Sequence, residues 1–102
     1  MLNQVVMVGR LVSDPEVVKE GEKELSTITL AIPRSFKNSE GVYETDFIEC
    51  ILYNQIATNT TEYCKKGDII GVKGRLQSQE VEDKRITQII AEKVTFLSSK
   101  SE

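Results

Sequence analysis

The sequence predicts an all-β domain with one helix, and three observations support that fold class. The 102 residues suit a single domain, and 39% hydrophobic with 28% charged residues is typical of a folded globular chain. Most apolar residues follow the two-residue alternation of β-strands. Helical spacing occurs only after Tyr53. We therefore expect several strands and a single helix.

The first part of the chain predicts two strands. Residues 3–12 are rich in β-branched apolar residues, which is typical of a strand buried on both faces. Residues 17–24 are charged and indicate a loop or a loose hairpin. Residues 25–36 form the second predicted strand, in which Pro33 should mark an edge or a bulge because proline cannot donate a ladder hydrogen bond. A bulge there would turn Phe36 away from the core.

The third predicted strand, Asp46–Tyr53, is the most informative segment. One of its faces carries three apolar side chains, Ile48, Cys50 and Leu52. The other face carries Phe47 and Tyr53 with Glu49 between them, since successive side chains of a strand point to opposite sides. The first row is sufficient for a core, so the two aromatic residues are free to face a ligand on which flat rings can stack.

The second half of the chain predicts the helix and two more strands. Helical spacing continues over residues 54–66, and Gly67 suits the helix end. Gly71 and Gly74 indicate sharp bending or close backbone approach within a strand. The remaining segments are the fourth strand at 68–77, a charged hairpin tip at 78–85, the fifth strand at 86–97 and a polar tail at 98–102.

This order of elements matches the OB-fold, a five-stranded Greek-key barrel, with the helix between strands three and four. Residues 1–97 would form the domain. OB-folds usually bind oligonucleotides or oligosaccharides across strands two and three and the neighbouring loops. In the first strand, Val5, Met7 and Leu11 alternate with Val6 and Val8, so one apolar row remains after the barrel is filled. Such a row indicates a subunit interface.

Composition excludes several classes of function. The chain contains no histidine, which removes the commonest general base and a common metal ligand. We therefore expect no catalytic residue, no metal and no cofactor. Cys50 and Cys64 are predicted to be reduced, packed thiols. The sequence shows no apolar run long enough for a membrane span and no signal peptide, so we expect a cytoplasmic protein.

Four segments of the chain resemble the single-stranded DNA-binding protein (SSB) family of bacteria. They are NQVVMVGRLVSDPE at Asn3–Glu16, TLAIPRSF at Thr29–Phe36, DFIECILYNQIA at Asp46–Ala57 and KKGDIIGVKGRLQ at Lys65–Gln77. The end of the fifth strand, Val94–Leu97, also fits. The resemblance implies a homotetramer of OB domains, although a dimer is possible, around which single-stranded DNA wraps. It further implies sequence-independent binding, no catalysis, and roles in DNA replication, recombination and repair.

The resemblance also assigns residues. The base-stacking positions of the family fall on Phe36, Phe47 and Tyr53, whereas the fourth falls on Val81, which cannot stack. The candidates for phosphate contacts are the basic residues Arg10, Arg34, Lys37, Lys73, Arg75, Lys84 and Arg85. Tyr43, in the predicted hairpin tip, could reach DNA but is not placed among the stacking residues. Tyr63 and Phe96 are expected to pack.

Three departures qualify this picture. Glu49 lies between two stacking residues, the hairpin at 78–85 is partly acidic, and Val81 cannot stack, so we expect weaker binding and a shallower salt dependence than is usual in the family. The net charge of −3 is also unlike the basic domains that usually bind nucleic acid. The alternative is a primosomal type of paralogue whose OB surface serves mainly protein contact. Many family members end in an acidic, apolar tip that recruits partners; the last residues here carry none, so tip-dependent partners are not expected.

Overall fold

The computed structural model describes residues 1–99 and contains six strands and one α-helix. In chain order they are β1 (Val5–Leu11), β2 (Val18–Glu20), β3 (Lys23–Lys37), β4 (Tyr43–Tyr53), α1 (Asn54–Tyr63), β5 (Ile69–Val81) and β6 (Lys84–Ser98). The all-β prediction with one helix is confirmed. Within the described residues, α1 falls short of the length and apolar character that a membrane crossing needs. Of the predicted tail at 98–102, residues 100–102 lie outside the described part.

The sheet closes into a barrel. Its strand order is β1-β5-β6-β4-β3-β2, and a further pairing joins β1 to β3. The contact of β4 with β6 is parallel, through Ile51 and Ile90, and the other pairings are antiparallel. Five strands make up the barrel, because β2 pairs only with β3. This is the predicted OB-fold.

Two differences from the predicted elements concern the first half of the chain and the helix. The charged segment at 17–24 forms a short hairpin that supplies β2, so α1 follows the fourth strand of the chain and the third strand of the barrel. The helix ends at Tyr63, three residues earlier than predicted, because buried Cys64 takes an extended conformation (φ −119°, ψ 146°) and enters the core. Gly67, with φ 93°, belongs to the turn that follows.

The β5–β6 hairpin is longer than the sequence predicts. Its predicted tip at 78–85 is largely strand, and only Glu82 and Asp83 connect the two strands. Both have positive φ, 50° and 66°, as a two-residue turn of the hairpin type requires. The hairpin therefore extends beyond the barrel as a two-stranded arm.

The core lies inside the barrel and under α1. Cys50 and Leu52 are fully buried and pair across the strands with Ile28 and Ser26 of β3, which are buried as well, and this confirms the predicted core face of Asp46–Tyr53. Both cysteines are free and buried, and burial raises the pKa of the Cys50 thiol to about 11. That thiol is therefore neutral at physiological pH and packs as a small apolar group.

The predicted irregularities of the strands are present. The β3–β4 register shifts between Pro33 and Lys37, where proline predicts a bulge. A second shift lies between Lys73 and Gly74 in the β5–β6 pairing. A side chain at Gly74 would overlap the carbonyl oxygen of Ile90, so this position needs glycine because two backbones approach each other closely.

We expect Gly74→Ala to lower the free energy of unfolding by roughly 1–3 kcal/mol, because the added methyl group must displace the β6 backbone. Gly71→Ala is the matched control on the same strand. Its methyl group would lie 3.7 Å from its nearest neighbour, a carbon of the Leu97 side chain, which is an ordinary van der Waals contact. Urea denaturation of the two variants and the parent measures the difference. Equal stabilities of the two variants would contradict the close approach at Gly74.

Candidate functional site

The outward face of β4 carries the aromatic side chains that the sequence singles out. Because side chains alternate along a strand, Phe47 and Tyr53 share this face, while Cys50 and Leu52 point into the core. The Phe47 side chain is 65% exposed, so its ring is not part of the core. Tyr53 is half-buried, and the Lys23 ammonium nitrogen lies 5.8 Å from the centre of its ring. Phe47 is the more open of the two rings.

Phe47 lines a groove between β4 and the β5–β6 hairpin. The groove has a volume of about 460 Å³, and its wall also includes Glu49, Leu76, Thr87 and Ile89. Sequence reasoning missed the last three, because the hairpin is remote from β4 along the chain and only the closed barrel brings the two together. In the structure Leu76 is exposed, and an apolar side chain facing solvent is typical of a contact surface.

The register of the β5–β6 hairpin determines whether Lys84 or Arg85 lies on the side of the hairpin that forms the groove wall. Cross-strand partners in an antiparallel pair point to the same side of the sheet. The side that contains the groove wall comprises Leu76 with Ile89, Ser78 with Thr87, and Glu80 with Arg85. The opposite side carries Lys84 with Val81. Arg85 thus shares the side of the groove, and Lys84 does not.

A second basic residue approaches Phe47 from the other side of β4. Arg10 on β1 is paired with Ala31 on β3, and Ala31 is paired with Phe47 on β4. The neighbouring pair, Leu11 with Leu30, is buried, so this row points outward. Two strand spacings of about 4.8 Å put the backbones of Arg10 and Phe47 about 10 Å apart. The small Ala31 side chain leaves the space between them open.

Arg10 is also held in place. Its Nη1 atom donates a hydrogen bond of 2.7 Å to the carbonyl oxygen of Gly67. The guanidinium has further N–H groups for a ligand. Arg10 therefore presents a positioned cation near Phe47.

Arg34 is occupied by two carboxylates of β4. Its Nε and Nη2 atoms donate to one oxygen of Asp46 at 3.0 and 2.8 Å, and its Nη1 atom donates to Glu44 at 2.5 Å. The hydrogen bond from Arg34 lowers the pKa of the Asp46 carboxyl below its ordinary value, and the same contact raises the pKa of Arg34. Asp46 thus stays ionised at neutral pH, and the pair weakens only as Asp46 is protonated in acid.

Phe36 and Lys37 lie at the outer end of the β3–β4 hairpin. The Phe36 side chain is 63% exposed, which confirms that the bulge turns it away from the core. It lies inside the stretch where the β3–β4 register shifts. The Lys37 ammonium nitrogen is 5.6 Å from the centre of the Tyr43 ring. Both rings and the cation are therefore open to solvent at one end of the molecule.

The structure does not bring Lys73 and Arg75 to the groove. Lys73 borders an apolar surface formed by Val6, Val8 and Leu97, on the β1–β5–β6 side of the barrel. Arg75 lies 3.4 Å from a carboxylate oxygen of Glu92. In contrast, Lys37, Lys73, Lys84 and Arg85 form no ion pair within residues 1–99.

Two aromatic residues that the sequence assigns to packing are exposed instead. Tyr63 is the last residue of α1, and the chain turns there so that Cys64, rather than Tyr63, enters the core. Phe96 lies near the end of β6 and is about half exposed. Neither lines the groove. Exposure alone therefore does not define the site, and position relative to the groove does.

Comparison with known proteins relates this architecture to one family. The model of the single-strand binding protein family matches residues 2–97. The single-stranded DNA-binding protein B of Bacillus subtilis is 39% identical over 106 aligned residues, which cover 98% of this chain and 94% of that protein. The single-stranded DNA-binding protein 3 of Listeria innocua is 44% identical, and the alignment covers 98% of this chain but 66% of that protein.

A solved structure gives the same relation. The crystal structure of a deletion mutant of the single-stranded DNA binding protein from Thermus aquaticus superposes with a TM-score of 0.81 at 25% sequence identity. The superposition covers 99% of this chain and 53% of that one, so the chain spans about half the length of this structural relative.

Proposed function

The chain belongs to the single-strand binding protein family, and we propose on that premise that it binds single-stranded DNA without sequence preference and without catalysis. The observation that carries the proposal is the open ring of Phe47 in the groove beside Leu76. Unpaired bases expose flat faces, and each base stacked on an aromatic side chain contributes about 1–3 kcal/mol whatever its identity. Such binding would protect DNA strands during replication, recombination and repair.

The proposed stacking residues remain Phe36, Phe47 and Tyr53. The basic residues differ in whether they form ion pairs and in the face on which they lie. Arg10, Lys37 and Arg85 are the best supported phosphate contacts, because they flank the aromatic surface and take part in no ion pair within the described chain. Arg34 and Arg75 would first have to leave their carboxylates. Lys73 and Lys84 lie on other faces, and we give them a smaller part.

We infer that this affinity depends more on stacking than on charge. Glu49 lines the groove next to Phe47, and Arg34 is neutralised by Glu44 and Asp46. Fewer free cations release fewer counterions from DNA, so the salt dependence should be shallow. A surface used mainly for protein contact, the alternative that the sequence leaves open, is not favoured, because the relatives described above carry the name of single-stranded DNA-binding proteins.

We further propose that the protein assembles as a homotetramer in the cytoplasm, where bacterial DNA lies. The apolar surface of Val6, Val8 and Leu97 supports assembly, because all three side chains are exposed in the single chain. A contiguous apolar surface of this kind is typical of an interface.

Replacement of the groove ring tests the DNA-binding proposal. We expect Phe47→Ala to weaken binding of a fluorescent oligo-dT by about 5- to 150-fold, the range that corresponds to one lost stacking contact. Phe96→Ala is the matched control, since Phe96 is also exposed but lies outside the groove. Fluorescence anisotropy gives the affinities, with duplex DNA as competitor. Equal affinities of Phe47→Ala and the parent would contradict the assignment.

The two basic residues of the β5–β6 hairpin make a second, paired test. Arg85→Ala should reduce the slope of log affinity against log salt by roughly 0.7, the contribution of one phosphate contact on a single strand. Lys84→Ala should reduce the slope less than Arg85→Ala does, because Lys84 points to the other side of the hairpin. The measurement is the same oligo-dT titration at four or more salt concentrations. A larger effect of Lys84→Ala would refute the assignment of faces.

The assembly is tested at Val8. We expect light scattering to give four chain masses for the parent at micromolar concentration, and a smaller species for Val8→Glu, because burial of a charged carboxylate in an apolar interface opposes association. Val42→Glu is the control, since Val42 has the same 53% exposure but lies in the β3–β4 loop. A monomeric parent would overturn the proposed tetramer.

A further inference from the structure

Tyr43 and Lys37 share the outward face of Phe47. The β3–β4 register pairs Ala31 with Phe47 and Lys37 with Tyr43. Side chains at every second position of β4 point to one side, so Tyr43 lies on the same face as Phe47, four residues away. At about 3.3 Å per residue the two backbone positions are about 13 Å apart. The aromatic face of β4 therefore continues to the outer end of the hairpin.

The loop before Tyr43 holds this end of the hairpin in a defined conformation. The Asn38 side-chain oxygen accepts hydrogen bonds from the backbone N–H groups of Glu40 and Val42, at 2.8 and 3.0 Å. The Asn38 backbone N–H donates to the Val42 carbonyl at 2.8 Å. Gly41, with φ 78°, completes the turn. Tyr43 is thus the first residue of a strand, and its side chain is 57% exposed.

Acidic and basic side chains are arranged differently around Tyr43 and around Phe47. Lys37 lies over the Tyr43 ring, with its ammonium nitrogen 5.6 Å from the ring centre. The carboxylates of Glu44 and Asp46, the next acidic residues on β4, are already paired with Arg34. An exposed ring and an unpaired cation are the two components that a base and its phosphate require. In the groove, by contrast, Phe47 has Glu49 beside it.

We propose that Tyr43 and Lys37 form an additional nucleotide position outside the groove, in which a base stacks on Tyr43 and its phosphate contacts Lys37. The inference rests on the proposed function, because it extends the path of the same DNA strand from Phe47 along the outward face of β4. A ring has two faces, so Lys37 over one of them leaves the other for a base. The position supplies a stacking contact that Val81 cannot make.

Fluorescence tests this position directly, because the chain contains no tryptophan. Tyr43→Trp creates a single reporter at the hairpin end, and we expect oligo-dT to quench its emission at saturation. Phe47→Trp reports on the groove in the same way. Tyr63→Trp is the control, since Tyr63 is 68% exposed at the end of α1 and should show no quenching.

Affinity measurements on the native aromatic residue complete the test. Tyr43→Ala should weaken oligo-dT binding about five-fold or more, and Tyr43→Phe should bind like the parent. Lys37→Ala should lower the salt slope by roughly 0.7.

Quenching at position 47 without quenching at 43, together with parent-like affinity of Tyr43→Ala, would overturn this inference and leave the proposed function intact. No quenching at 47 and no binding by the parent would overturn both.

Discussion

Closure of the barrel depends on two places where backbones come unusually close. At Gly9, a Cβ atom would lie 2.8 Å from a side-chain carbon of Ile32 and 3.0 Å from the carbonyl oxygen of Ala31. At Gly74, it would overlap the backbone of Ile90. The first contact lets β1 reach β3, and the second lets β5 bend against β6. A larger side chain at either position would force the strands apart.

The ligand surface is a consequence of that closure. Arg10 reaches the neighbourhood of Phe47 only because β1 pairs with β3 through Arg10 and Ala31. The groove wall of Leu76, Thr87 and Ile89 exists only because the bent hairpin comes back toward β4. Cys50 and Leu52 pack inside the barrel, so the core does not need the Phe47 side chain on the opposite face of the same strand. Alternation along one strand thus separates stability from recognition.

Local features of the sequence predicted much of this arrangement. The alternation of Asp46–Tyr53 predicted both faces of β4, and Pro33 predicted the register shift beside Phe36, because alternation and the missing proline N–H act over a few residues. The ion pairs of the basic residues could not be predicted from neighbouring positions in the sequence. Arg34 and Lys37 look equivalent in sequence, yet Arg34 is bound by two carboxylates and Lys37 is not. That difference arises from cross-strand register, which the spacing of residues does not reveal.

The two-residue turn at Glu82 and Asp83 has a consequence for how such a protein can change over time. From Gln79 to Thr87 the β5–β6 arm consists of exposed residues, with no side chain in the barrel interior. Insertions, deletions or charge changes in the arm therefore leave the packing of the core unchanged. Ligand binding, rather than core packing, therefore limits the length and composition of the arm. The packed barrel therefore restricts which residues its strands can carry, whereas substitutions in the arm carry little risk of misfolding.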